Sequence, residues 1–264
     1  MKARVFLADH PFCCFCGGEE IATTIEHLPA RIVFPGKHRP KGLEFPACSS
    51  CNNQTRGDDS VLAVVARALG SMRPGSSISS DDVQRAARGA RGVFPGFKLK
   101  GRQEHVNVNG VIRKVGIFDV NHPTVHLCLC RLAAKFALTT FYHGHGRIAD
   151  GTYRINTLWT HNQNNEADEL ANILRLFPNS SSLSMGSWDT ADTFYFRDVS
   201  EGKTLVTAAV FYESVLLYGQ LAPMEEARAW MPYQMTWSPV RGQGLMQMPL
   251  TAPTRTVSHE PAVE

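Results

Sequence analysis

The chain has 264 residues, 43% hydrophobic and 19% charged, enough for one large domain or two ordinary ones. No apolar run approaches the roughly 18 residues of a membrane span, and the stretch MKARVFLADH breaks off too soon at Asp9 for a signal peptide, so no membrane partner and a cytoplasmic location are expected. The formal net charge of +3 is unevenly distributed: residues 31 to 114 hold 15 Lys and Arg against 6 Asp and Glu, a balance that fits either a phosphate-binding face or a plainly solvated one.

Residues 1 to about 57 are rich in Cys, Gly and Pro with short β-like runs, which predicts a small unit held by metal. Thr23-Thr24-Ile25 reads as a strand running into Glu26 and His27. The segment DDSVLAVVARALG predicts a helix, with Asp58, Asp59 and Ser60 at its cap and Gly70 at its end. A polar connection follows, then a basic helix, SDDVQRAARGARG, with Ser80 as its expected cap. HVNVNGVIRKVGIFDV places Asn109-Gly110 between two alternating runs, the signature of a hairpin.

Pro123 then opens an apolar helix with Leu129, Leu132, Ala133, Phe136 and Ala137 as its buried stripe. GTYRINTLWT and TFYFRD predict strands, NNEADELANILRLF an amphipathic helix, KTLVTAAVFYESVLLYG a long β-rich run and PMEEARAWM a short helix. From about residue 250 the pattern is lost, as in a loose tail. Cys128 and Cys130 fall on the apolar helix as core residues. His143 and His145 fit a helix end before a Gly turn better than a metal site.

The amino-terminal cysteines are organised differently. Cys13 and Cys16 form one C-x-x-C pair and Cys48 and Cys51 another, and four thiolates give the closed tetrahedral site that structural zinc prefers. Cys14 lies between two ligands and could replace one of them. The 31 residues between Cys16 and Cys48 exceed the spacing of compact zinc modules, so the insertion should have a role of its own. It contains Glu26 and His27, and Asn52 follows the last cysteine.

In its order, Cys13-x-x-Cys16, Glu26-His27, Cys48-x-x-Cys51-Asn52, the chain resembles the HNH endonucleases, the ββα-metal or His-Me finger nucleases, in their four-cysteine zinc form. The resemblance covers about the first 60 residues. It implies hydrolysis of DNA phosphodiesters to a 5′-phosphate and a 3′-hydroxyl, with His27 as general base and catalytic Mg²⁺ or Mn²⁺ held by Glu26 and Asn52. The family more often carries Asp or His at the position of Glu26, and many members have His at that of Asn52.

Arg31, Lys37, Arg39, Lys41 and Arg56 lie near this centre in sequence and are expected to hold phosphates. The expected architecture is α+β: a zinc-stabilised HNH head over residues 1 to 72, a basic helix and hairpin over 73 to 120, and a larger α+β part over 121 to 264. That larger part would position DNA, another protein subunit or a second copy, and bacterial anti-phage defence is the expected setting. The competing expectation is a zinc module without catalysis that binds nucleic acid or protein.

Overall fold

The computed structural model describes residues 3–34, 36, 38–39, 41–91, 103–108, 111–116, 120, 122–161, 174–175, 177, 180–185, 188–230 and 238–240. Most of NNEADELANILRLF, the tail from residue 250, Lys37 and the Asn109-Gly110 turn lie outside these residues.

The chain opens with a short helix α1 (Ala3–Asp9), where only a truncated apolar run stood out in the sequence. A cysteine knuckle follows, then β1 (Thr24–His27), a 3-10 turn (Arg31–Val33) and β2 (Glu44–Ala47). β1 and β2 pair antiparallel, with Glu26 opposite Phe45 and His27 opposite Glu44. Helix α2 (Ser49–Ser71) leaves directly from this hairpin, with Cys48 at its N-cap accepting from the Cys51 N–H at 3.4 Å.

α2 runs unbroken through Gly57, Asp58, Asp59 and Ser60, so the helix start expected there is not formed. The reason is tertiary: the Asp58 carboxylate accepts from Nε of Arg131 at 2.8 Å and from its Nη2, and cannot fold back on the backbone. Helix α3 (Ser80–Ala90) packs against α2 through Ala86, Ala87 and Ala90 around Val64. Its cap is Ser79 rather than Ser80: Ser79 Oγ accepts from the Asp82 N–H at 3.1 Å, while the Asp82 carboxylate accepts from the Ser79 N–H at 3.3 Å, closing a capping box. Strands β3 (Gln103–Val108) and β4 (Val111–Gly116) form the expected hairpin.

Helix α4 (Pro123–His145) carries the centre of the molecule. Its expected stripe is buried, and Gly146 ends it in the left-handed region at φ 63°, with its N–H on the Tyr142 carbonyl. By length and composition α4 could cross a membrane, but most of its apolar window is buried within the protein.

α4 lies on an antiparallel sheet with strand order β12-β5-β11-β10-β9-β6, built from β5 (Tyr153–His161), β6 (Ser181–Ser182), β9 (Phe194–Glu201), β10 (Thr204–Phe211), β11 (Val215–Pro223) and β12 (Ser238–Pro239). A small separate pair, β7 (Ser184–Met185) and β8 (Trp188–Asp189), and helix α5 (Met224–Trp230) complete the described elements.

Alternation divides the sheet's residues between its faces. Leu205, Ala209 and Phe211 of β10 and Val215, Leu217 and Leu221 of β11 join α4 in one core. Ala208, Val210 and Leu216 pack with Phe177 on the other face. Gly219 permits the close fit, since a Cβ there would lie 2.8 Å from the Ala133 carbonyl and from the Ala137 side chain.

The run read from sequence as one β segment is two strands joined at Tyr212-Glu213. Phe211 pairs with Val215, so the connection is the three residues Tyr212, Glu213 and Ser214: the first two adopt positive φ, 50° and 47°, and the Ser214 N–H closes the turn on the Phe211 carbonyl at 2.9 Å. The Tyr212 hydroxyl donates to the Val33 carbonyl at 2.7 Å, Arg73 donates to the Tyr212 carbonyl at 3.2 Å, and the same guanidinium pairs with Glu213. Tertiary bonds thus hold a conformation these side chains disfavour. The apolar cluster runs without a break from Cys13, Phe15 and Phe45 of the head through α2 and α4 to the sheet.

Candidate metal centre

The four cysteines come together as their spacing implied. The sulfurs of Cys13, Cys16, Cys48 and Cys51 lie within 4.8 Å of one another and all four residues are buried. The first knuckle turns through Gly17 and Gly18, at φ 71° and 82°, and closes with the Gly18 N–H on the Cys13 carbonyl at 3.0 Å. The second is the first turn of α2. Cys14 is buried beside the tetrad, where burial raises its thiol pKa, with its N–H on the Pro46 carbonyl at 3.1 Å. It is not one of the four.

Hydrogen bonds from Cys13 and Cys51 lower the Cys16 thiol to about 4. Within the same cluster Cys51 is raised, because it donates to its neighbours and adjoins their charge. Four buried sulfurs this close together suit a shared cation, and the tetrad can hold a structural metal such as zinc. Among the described residues it is the sole grouping of three or more His, Cys, Asp or Glu with the reach of a metal site.

Along β1, successive side chains alternate. Thr24 accepts from the Asn52 amide nitrogen at 3.0 Å, and Glu26, two residues on, is turned inward and 7% exposed. Its carboxylate accepts from Lys135 of α4, whose ammonium also donates to Thr55 Oγ1 at 2.7 Å and lies 5.3 Å from the centre of the Phe15 ring. Asp59, one turn beyond Thr55 on α2, is pushed up to about 7 by burial, with Lys135 pulling the other way.

His27 stands apart from these groups. Its side chain is 38% exposed, and Nδ1 lies 3.6 Å from Glu44 Oε1 across the hairpin. Burial lowers the imidazole pKa, Arg39 and Arg31 add to that, and Glu44 opposes it. The structure therefore sets Glu26 against α2 and α4 and ties Asn52 of α2 to β1, while His27 keeps the company of Glu44 and the arginines.

Of the expected phosphate ligands, Arg31, Lys41 and Arg56 are exposed. Arg39 is different: Nε donates to the Pro29 carbonyl at 2.7 Å, and Nη2 donates to the carbonyls of Leu28 at 2.8 Å, Leu43 at 3.2 Å and Gly42. Burial brings its pKa down to about 10. Arg39 thus closes the loop between β1 and β2 through its Nε and Nη2.

Lys135, Thr55 and Glu44 were not singled out from sequence. A signal for the first existed. Arg131 and Lys135 are four residues apart on a helix otherwise apolar through this stretch, and buried cations require buried partners, here Asp58 and Glu26.

A second cysteine and histidine pair, on α4, does not form a nucleophilic dyad. Trp159 Nε1 donates to His126 Nδ1 at 3.0 Å, which leaves the proton on Nε2 facing Cys130 Sγ at 3.6 Å. Such an imidazole cannot take the thiol proton, and burial raises Cys130 to about 11. Compared with family models, with curated proteins and with solved structures, the chain matches none.

Proposed function

We propose that the zinc-knuckled head is an HNH-type endonuclease that hydrolyses DNA, with His27 as general base. The observation that carries this reading is the joining of the two C-x-x-C pairs around a hairpin and a helix, in the order knuckle, β1, β2, α2, with a half-exposed His27 at the end of β1. Zinc in the tetrad would hold the hairpin to the start of α2 and take no part in the reaction.

The imidazole suits its task. A pKa below the ordinary value keeps it neutral at pH 7, and a carboxylate beside Nδ1 favours the tautomer with its proton there. The Nε2 lone pair is then free to accept a proton from water as the water oxygen attacks phosphorus and the 3′-oxygen leaves. Arg31, near enough to influence His27, would face the phosphate.

A divalent cation would neutralise charge on the phosphate and the leaving oxygen, but Glu26 as placed does not fit its binding. Its carboxylate is neutralised by a buried ammonium, whereas Asn52 donates to Thr24 through Nδ2 and a cation would take its Oδ1. That same observation favours a second reading, a zinc module that binds DNA without cutting it.

Plasmid nicking separates the two readings. Purified protein is assayed with Mg²⁺, with Mn²⁺ and with EDTA, beside His27→Ala. The expected result is cleavage by the wild type and its loss, on the order of a hundredfold or more for removal of a general base, in a variant that keeps its zinc and its DNA affinity. Equal cleavage by both proteins rejects His27 as the base, and binding without cleavage selects the second reading.

A further inference from the structure

We infer that the outward face of α3, carrying Arg85, Arg88 and Arg91, is the surface along which a DNA backbone lies as it reaches His27. The inference rests on the nucleic-acid part of the proposed function and holds whether or not the head cuts.

The orientation of α3 is fixed by its small residues. Ala86, Ala87 and Ala90 are buried against α2 around Val64, which leaves Arg85, Arg88 and Arg91 exposed. They recur every third residue, so each base of attachment lies about 4.5 Å further along the helix axis. The acidic residues of α3, Asp81 and Asp82, sit in its first turn, and Asp82 is occupied in the capping box. From Gln84 to Arg91 the helix carries no acid. The contact of Arg85 with Asp82, at 3.6 Å on an exposed face, is of a kind that contributes little and yields to a better partner.

Position links this face to the site. A Cβ on Gly89 would lie 3.5 Å from the Ile32 side chain, so the arginine-bearing half of α3 runs beside the 3-10 turn that holds Arg31. That turn is anchored by Arg67 of α2, which donates to the carbonyls of Ile32 and Phe34 at 2.9 and 2.8 Å. Arg31 in turn influences His27. A succession of cations therefore leads from α3 to the imidazole.

Charge complementarity identifies the occupant. Guanidinium groups pair with phosphate oxygens in a fixed fork geometry, and regularly spaced cations answer the repeating charge of a duplex. A protein interface sets its arginines among buried aromatic anchors, and the exposed residues of α3 from Gln84 to Arg91 include no aromatic.

The test is fluorescence anisotropy of a labelled duplex with the full-length, zinc-loaded chain carrying His27→Ala, so that cleavage does not intervene, across roughly 50 to 200 mM salt. Arg85→Gln, Arg88→Gln and Arg91→Gln together are expected to weaken binding about a hundredfold at 100 mM and to reduce the slope of log K against log salt by about 2 to 3. The corresponding triple Arg→Lys variant, which keeps the charge, retains most of the affinity. Unchanged affinity and slope in the Gln variant overturn the inference while leaving DNA binding intact, and absence of binding by the parent overturns both. Nicking is read separately, so its loss bears only on catalysis.

Discussion

Lys135 shows most directly how a single residue ties the head to the rest of the protein. Its side chain is 1% exposed and its ammonium is shared between Glu26 and Thr55. Removing one member of such a pair leaves the other charge buried without compensation, at a cost of about 3 to 5 kcal/mol. Lys135→Met should therefore lower stability to urea by about that amount, and Glu26→Gln combined with Lys135→Met should recover most of it. A single variant as stable as the wild type would show that the pair does not hold the head in place. His27 gives a prediction of a different sign. Its folded pKa lies below its unfolded one, so in the window just beneath about 6.5 the unfolded chain binds more protons and stability rises with pH. Falling pH removes that stability until the folded pKa is passed, and above the unfolded pKa the residue contributes no slope. His27→Asn should flatten the pH dependence of urea midpoints in that window; a slope unchanged by the substitution would place its origin elsewhere. At this scale Glu26, His27 and Asn52 were visible in the sequence as chemical types in order. Their partners come from segments up to 109 residues away and were not.

Elements were legible where local chemistry decides them. Pro123 and Gly146 bound α4 because one suits a first helical turn and the other a left-handed cap, and Asn109-Gly110 announced the β3 and β4 pairing. The failures share a cause. Asp58, Asp59 and Ser60 look like a helix start, yet Arg131 binds Asp58 and α2 continues through them. Tyr212-Glu213 lacks the Asn or Gly that marks a tight turn, and the turn forms because Arg73 and Tyr212 itself bond across to distant backbone and side-chain groups. In each place a long-range polar contact overrode a local preference, and a single sequence records such contacts only as an unexplained charge or aromatic residue. The cysteine knuckles are the converse case. Their ligands are close in sequence within each pair, and the spacing alone anticipated the tetrad.

For the molecule as a whole, the continuity of the core carries the consequence. Cys13, Cys16, Cys48 and Cys51 belong to the same apolar cluster as Leu129 and Phe136 of α4 and Phe211 and Leu217 of the sheet. The buried pairs Glu26 with Lys135 and Asp58 with Arg131 cross the same junction. A metal bound only by the native tetrad stabilises whatever folds with it, and here that extends beyond the first 72 residues. All four tryptophans lie at or beyond Trp159, so tryptophan fluorescence reports the larger part and is blind to the head, whereas release of zinc to a chromogenic chelator reports the head. In a urea titration of the zinc-loaded protein the two signals are expected to change at the same midpoint, and stripping the metal beforehand should shift the tryptophan transition to lower urea. Zinc released well before the fluorescence changes, with that later transition unaffected by the metal, would mean that the head opens independently of α4 and the sheet. Coincidence of the two would make the cysteine tetrad with its metal a support for the whole fold, since the same core that buries the cysteines also positions Lys135 against Glu26.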